Sequence, residues 1–201
     1  HNGEINTLKG NVNWMKVHEE EMFDSNYDNM ENLKPVIPEG NSDSASLDNV
    51  FELLSMSGHS APLTKLMLIP DAWSKKSKIL PKNQLKLFNF LNSTMEPWDG
   101  PAALAGTDNE WVIAASDRNG LRPLRFTITR DKLLFAGSET GMVDLNEKKI
   151  IRKGRLGPGE IIGVRIEKGK VFTNSQIKDY LAKEYKHCLL YTSPSPRDLV
   201  I

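Results

Sequence analysis

An α+β fold follows from three features of this chain. Helical periodicity fills its first half, alternating strand patterns fill its second, and hairpin turn chemistry joins those strands. Helices followed by antiparallel strands build a layered domain rather than a doubly wound one. The 201 residues suffice for one domain with a real core. No internal repeat is visible.

Thr7 to Met22 reads as the first helix. It follows Asn6, which stands where an N-cap belongs, and carries Leu8, Val12, Met15 and Met22 on roughly one side. Asp24 to Gly40 is a polar connection in which Pro35 and Pro38 forbid a long helix. The run Asn41 to Ser46 starts a second helix. Leu47, Val50, Phe51 and Leu54 fall at i, i+3, i+4 and i+7, and Gly58 supplies a stop. Thr64 to Ile69 is apolar and ends at Pro70; its period fits a helix or a strand. Lys82 to Leu91 is helical, with Leu85, Phe88 and Leu91 expected inside.

From Pro97 the pattern changes. Trp111 to Ser116 reads as a buried strand, and Asp117-Arg118-Asn119-Gly120 as a turn. Pro123 to Thr129 alternates, with Leu124, Phe126 and Ile128 on one face. Lys132 to Ala136 is a third strand. Glu160 to Ile166 and Lys170 to Phe172 flank Glu167-Lys168-Gly169 as a hairpin. Ser175 to His187 closes the pattern as a polar helix with Ile177, Tyr180 and Leu181 inward.

Composition narrows the function. Hydrophobic residues make up 39% and charged residues 26%, ordinary for a globular domain. Lys plus Arg equals Asp plus Glu at 26 each, which lacks the basic excess of a nucleic-acid partner. No apolar run approaches a membrane span, and no signal peptide is visible. The four histidines show no metal-ligand spacing. Gly154-Arg-Leu-Gly-Pro-Gly159 lacks the Gly-Lys-Ser/Thr ending of a phosphate loop and reads as a surface loop before a strand. Arg118 and Arg122 could bind a carboxylate or phosphate, but two arginines alone do not define such a site.

The single cysteine, Cys188, opens the string Cys188-Leu-Leu-Tyr-Thr-Ser-Pro-Ser-Pro-Arg-Asp198. That string matches, residue for residue, the translation of a common transposase sequencing adapter. Residues 188–201 are therefore expected to be foreign to the domain, the alternative being a Pro/Ser-rich linker. Residues 1–187 then hold no cysteine, which fits a reducing compartment and leaves no thiolate for an iron–sulfur cluster.

The chemistry concentrates at the start. Asn2 offers a side-chain amide N–H, and Gly3 a backbone N–H with no Cβ to block approach. Two such donors suit an oxyanion hole, although Asn-Gly also marks tight turns. Asp43, inside Ser42-Asp43-Ser44 at a helix start, reads as a capping acid or as a carboxylate for a substrate ammonium.

The run His1-Asn-Gly-Glu-Ile-Asn-Thr-Leu-Lys-Gly-Asn-Val-Asn-Trp-Met15 resembles the class II glutamine amidotransferase domain of the glutamate synthase family. Further stretches agree in order: Ser42-Asp43-Ser44, Leu68-Ile-Pro-Asp-Ala-Trp73, Glu96-Pro-Trp-Asp-Gly100 and Asp117-Arg-Asn-Gly-Leu-Arg-Pro123. The resemblance implies an N-terminal-nucleophile hydrolase fold, an αββα sandwich, here incomplete with its first strands missing. It implies that Asn2 and Gly3 form the oxyanion hole and that Asp43 holds the α-amino group of L-glutamine. Ser42 and Ser44 are expected to be caps, His1 a packed or hydrogen-bonded residue, and Glu4 structural.

The family's nucleophilic cysteine and its carboxylate-binding arginine would lie upstream, so residues 1–187 are expected to be a partial domain, inactive alone. For the whole enzyme the resemblance implies FMN and an iron–sulfur cluster, none of them bound within this segment. It also implies the remaining domains of the same polypeptide and either a nicotinamide-oxidising small subunit or ferredoxin as partners. The implied location is cytoplasmic, or plastidic in a eukaryote. The alternatives are a non-catalytic amidotransferase-like scaffold and a class II enzyme making an amino sugar or asparagine. Glu96-Pro-Trp-Asp-Gly100 and Asn11-Val-Asn-Trp14 argue against the last.

Overall fold

The computed structural model describes residues 1–22, 29–72 and 80–185. Trp73 and the Cys188–Ile201 string lie outside those residues. Among the described residues five α-helices and eight strands form an α+β domain, as the order of patterns predicts.

The first strand, β1, is Asn2–Gly3, followed by α1 at Leu8–Glu21. Met15 of α1 is buried, with Leu8, Val12 and Met22 packed beside it, the face that the periodicity picks out. The cap differs from expectation. Thr7 rather than Asn6 holds the N-cap position, and its hydroxyl donates to the Asn11 side chain instead of capping the backbone. The connection to α2 is less polar than it reads: Val36 and Ile37 drop into the core. Helix α2 spans Asp43–Met56, with the Ser42 hydroxyl accepting from Ala45 N–H. It ends in a Schellman turn. His59 N–H donates to Leu54 O, Gly58 N–H to Ser55 O, and Gly58 sits at φ +93°, where only glycine is unstrained.

The ambiguous Thr64–Ile69 run is helical. Helix α3, Ala61–Leu68, is buried on every side, which is why it shows no amphipathic period. Helix α4, Lys82–Thr94, turns Gln84, Leu87, Phe88 and Leu91 inward. Leu85, expected inside, is only half-buried, because the inward stripe is set by Leu87 rather than by Leu85.

Strands β2 (Ala102–Thr107), β3 (Trp111–Ser116), β7 (Ile161–Arg165) and β8 (Lys170–Phe172) join β1 in an antiparallel five-stranded sheet, ordered β1-β2-β3-β7-β8. Strands β4 (Arg125–Thr129), β5 (Leu134–Gly137) and β6 (Ile150–Arg155) make a second sheet, ordered β5-β4-β6. Helix α5, Asn174–Glu184, starts in a capping box between Thr173 and Gln176.

Three layers result. Leu63 and Leu66 of α3, Phe88 and Leu91 of α4, and Ile177 and Leu181 of α5 cover Trp111, Ile113 and Ala115 of β3 and Ile161 of β7. The opposite face of the same strands, Ala114 and Ile162, meets Leu124, Phe126 and Leu156 of the second sheet. Each fully buried large side chain stabilises the fold by about 1.5–3 kcal/mol. The order is thus helices, sheet, sheet, and a second helical layer is not among the described residues.

Candidate functional site

Strand β1 lies at the edge of the five-stranded sheet, and its geometry follows from two glycines. Gly3 crosses β2 so closely that a Cβ there would stand 2.0 Å from Pro101 O and 2.6 Å from Ala102 Cα. Gly100 returns the approach. It has φ +157°, and its Cβ would meet Glu4 O at 1.9 Å. No other residue fits either position without moving the backbone.

The register decides where the donors point. Asn2 pairs with Ala103 and Gly3 with Ala102. Glu4 N–H donates to Pro101 O at 2.9 Å, and Asn6 N–H to Asp99 O at 2.8 Å. In an antiparallel pair, alternate residues turn their N–H groups toward the neighbour and away from it. Glu4 and Asn6 therefore face β2, while the N–H groups of Gly3 and Ile5 point off the open edge. Asn2 is exposed, and its side-chain amide has no protein partner among the described residues.

The Ile5 N–H is taken by Asp43, whose Oδ2 accepts it at 2.8 Å across 38 residues of sequence. Asp43 is not the cap of α2, since Ser42 is. It is the first helical residue, and its carboxylate bridges the start of α2 and the chain beside β1. Ser44 is not a cap either. Its N–H and hydroxyl both donate to Asp43 Oδ1, at 2.7 and 3.4 Å. These bonds, led by that from Ile5, hold the Asp43 carboxyl below the usual carboxylate range, so it is ionised at neutral pH.

Asn2, Gly3 and Asp43 thus share one edge. The Gly3 and Ile5 N–H groups are two residues apart in a segment that keeps pairing beyond β1 through Glu4 and Asn6, about 7 Å at extended spacing. The Asp43 carboxylate therefore sits about one extended amino-acid length from the free Gly3 donor.

Two motifs read as family signatures turn out to brace this edge. The Glu96–Gly100 segment is a strap across it. Glu96 meets His18 of α1 at 2.7 Å, Pro97 O accepts from Asn11 Nδ2 at 3.1 Å, and Asp99 N–H donates to Thr7 Oγ1 at 2.9 Å. Buried Trp98 anchors the strap, its N–H donating to Leu68 O. Asp117 was expected to act as hairpin chemistry. Instead β3 and β4 part into different sheets there, and the buried Asp117 carboxylate collects four backbone N–H groups. Arg118 meets Asp99 at 3.8 Å, a weak, partly exposed contact.

Other expectations change at closer range. His1 is half-buried, but neither ring nitrogen has a hydrogen-bond partner among the described residues. Glu4 acts through its backbone while its side chain is exposed. Gly154–Gly159 is not merely a surface loop. Leu156 is buried, Gly157 N–H is taken by the Glu160 carboxylate, and Gly159 N–H by Asp117 O.

Behind that loop lies a charged cluster the sequence did not announce. Lys65 is 1% exposed and donates to Gly159 O at 2.9 Å; burial pushes its ammonium down to about 8. Lys178, also buried, pairs with Asp71. A lysine inside the apolar run of α3 was the available signal.

A groove of about 940 Å3 runs between α1, α2 and the Met30–Leu33 turn, lined by Met15, Met22, Val36 and Leu53. It touches none of Asn2, Gly3 and Asp43, and its lining is packing surface between helices. The hydrogen-bond geometry at the sheet edge is the better guide to chemistry.

A family profile described as glutamine amidotransferases class-II matches residues 1–188. The chain is 55% identical over 183 residues to the glutamate synthase (NADPH) large chain of Azospirillum brasilense, covering 90% of this chain and 12% of that protein. It is 42% identical over 190 residues to ferredoxin-dependent glutamate synthase 2 of Synechocystis sp., covering 93% and 12%. It is 41% identical over 187 residues to glutamate synthase (NADH) of Schizosaccharomyces pombe, covering 92% and 9%. The chain spans about an eighth or less of the length of these relatives. Because that profile matches residues 1–188, the chain belongs to the class II glutamine amidotransferase family.

Proposed function

We propose that this chain is the C-terminal part of the glutaminase domain of a glutamate synthase. The fold is then the incomplete αββα sandwich of N-terminal-nucleophile hydrolases. The domain releases ammonia from L-glutamine, and the whole enzyme uses that ammonia for reductive amination of 2-oxoglutarate to L-glutamate. One observation carries the reading: the Gly3 N–H points off the strand edge with no acceptor among the described residues, and two residues on, the Ile5 N–H is taken by the ionised Asp43 carboxylate.

The roles follow from charge. Asp43 receives the α-ammonium of glutamine, which places the side-chain amide toward Gly3. A cysteine thiolate supplied by the rest of the domain attacks the amide carbonyl carbon. The carbonyl oxygen becomes an oxyanion, and the Gly3 N–H and the Asn2 side-chain N–H donate to it. Collapse expels ammonia and leaves a thioester, which water hydrolyses to L-glutamate. Because residues 1–187 supply binding groups and no thiolate, the chain alone is inactive.

FMN and the iron–sulfur cluster belong to other parts of the whole enzyme. Among the described residues no group of three or more His, Cys, Asp or Glu could hold a metal. The glycine loop at 154–159 has its Gly157 and Gly159 N–H groups already engaged, so it does not offer a phosphate cradle. No step here passes through either group. The relatives are named for NADPH, NADH and ferredoxin alike, so the donor is chosen outside this segment.

The test is glutamine hydrolysis by the full-length enzyme that carries this segment. Asn2→Ala should lower kcat by roughly 10²-fold, as loss of one oxyanion donor does. Asp43→Asn should raise KM. The purified 201-residue chain should release no ammonia from glutamine. Activity in that chain, freed of contaminants, or unchanged kinetics in both variants, defeats the reading.

A further inference from the structure

Ala102 is the residue that Gly3 packs against, and its own position is set from behind by a carboxylate. The ladder between β2 and β3 pairs Ala103 with Ser116, so its next rung would join Ala102 to Asp117. Half of that rung is ordinary: Asp117 N–H donates to Ala102 O at 2.9 Å. The other half is not. Ala102 N–H donates to the Asp117 side chain, Oδ2, at 3.1 Å. The Asp117 carbonyl is turned away and accepts from Gly120 and Gly159 instead.

The same carboxylate is fixed by its own turn. Asn119 N–H reaches Oδ1 at 2.9 Å, and Leu121 and Arg122 N–H reach Oδ2 at 3.0 and 3.1 Å. No cation lies within ion-pair distance of it among the described residues, and it is 1% exposed. Four N–H groups thus hold one buried carboxylate, three from the turn and one from β2, and the Lys65 ammonium attracts it from farther off. An amide in place of the carboxylate keeps one oxygen for Ala102, Leu121 and Arg122, but its NH2 then faces the Asn119 N–H, donor against donor, and the turn must shift.

We propose that Asp117 is a positioning residue for the oxyanion donor: it locks Ala102, and through the Gly3–Ala102 contact it fixes where the Gly3 N–H points. This rests on the glutaminase reading above. The contact leaves no slack, because Gly3 approaches Ala102 more closely than any residue with a Cβ could. A shift of Ala102 therefore moves Gly3 with it. Misplacement of this kind acts on the transition state, where the oxyanion exists, and not on ground-state glutamine held at Asp43.

The experiment is a kcat-against-KM comparison in the full-length enzyme carrying this segment. Asp117→Asn should lower kcat for glutamine hydrolysis by roughly tenfold or more, within the range that remote misplacement produces. KM should stay within about twofold, because uniform binding is untouched. Gly120→Ala provides a second variant that keeps the carboxylate. It strains the turn at φ +67° and should give a smaller loss of kcat, again without a change in KM. Asp43→Asn, run alongside, tests the underlying reading by raising KM. If Asp43→Asn behaves as expected while Asp117→Asn and Gly120→Ala leave kcat unchanged, or raise KM instead, the positioning role is overturned. If Asp43→Asn also changes nothing, the glutaminase reading itself has failed.

Discussion

Strands β1 and β3 belong to one sheet, separated only by β2, yet they are held by different forces. Strand β3 is held by packing: helices cover Trp111, Ile113 and Ala115, and the second sheet covers Ala114. Strand β1 has two residues and little to bury. It is held by hydrogen bonds to backbone at Pro101 and Asp99, to the Asp43 carboxylate, and by glycine-to-backbone contact. Packing is tolerant of shape and supplies stability. Hydrogen bonds at an edge supply little net stability but fix direction. The difference shows why the donors sit on β1: its outward N–H groups have a defined aim and, among the described residues, no strand beyond them.

The sharpest break between the two strands should come from Trp111→Ala. Emptying a site that is 1% exposed should cost about 3–5 kcal/mol, read as a fall in the urea midpoint. An effect as large from Gly3→Ala would erase the distinction.

The charged cluster beside β3 should show itself in pH dependence. Burial holds the Lys65 ammonium down to about 8, against 10.5 for a free lysine. From about pH 8 to about pH 10.5 the unfolded chain keeps a proton that the folded chain has released, so Lys65 makes stability rise with pH across that window. Below pH 8 its burial penalty is fully present. The stability advantage of Lys65→Met over the native chain should therefore shrink by about 3 kcal/mol on going from neutral pH to about pH 10. A constant difference would mean that Lys65 is not held below its free value.

Gly3→Ala should cost about 1–3 kcal/mol, the range of overpacking, because β1 must lift off β2. Amide exchange would show it as lost protection at Glu4 and Asn6 with β3 unaffected. Protection lost throughout the sheet would instead make β1 part of the core.

Asp43→Asn should be the mildest in stability, below about 1 kcal/mol, because it removes one charge-assisted bond near the surface. Its sign is fixed by the lowered carboxyl. The stabilising share of Asp43 is present above the free carboxylate range and is lost as pH falls through the folded value. The native chain and Asp43→Asn should thus converge in stability on acidification.

Much of the fold was legible in the residues. The helices at Leu8, Asp43 and Lys82, the strands at Trp111, Arg125, Leu134 and the Ile161–Phe172 hairpin all follow from period and turn residues. Strands β2 and β6 were not. Ala102–Thr107 has Leu104 as its one large apolar side chain, and Gly106 is small where the Phe51 ring would lie 3.1 Å from a Cβ. Ile150–Arg155 is an edge strand carrying Arg152 and Lys153, charges that mask the pattern. At the site, Asn2, Gly3 and Asp43 were legible through their motifs, but the roles of Ser44, Trp98 and Asp117 were not.

The sequence by itself determined what is local and chemical: which segments are helical, which alternate, which residues can donate or carry charge, and which family the order of motifs belongs to. Tertiary structure alone decided that Asp43 reaches Ile5 from the start of its helix, that Gly3 N–H points off an open edge, and that a buried carboxylate replaces a carbonyl in the β2–β3 ladder. The reason is physical. Periodicity and propensity act over a few residues, whereas these arrangements depend on groups 15 to 99 residues apart meeting in space.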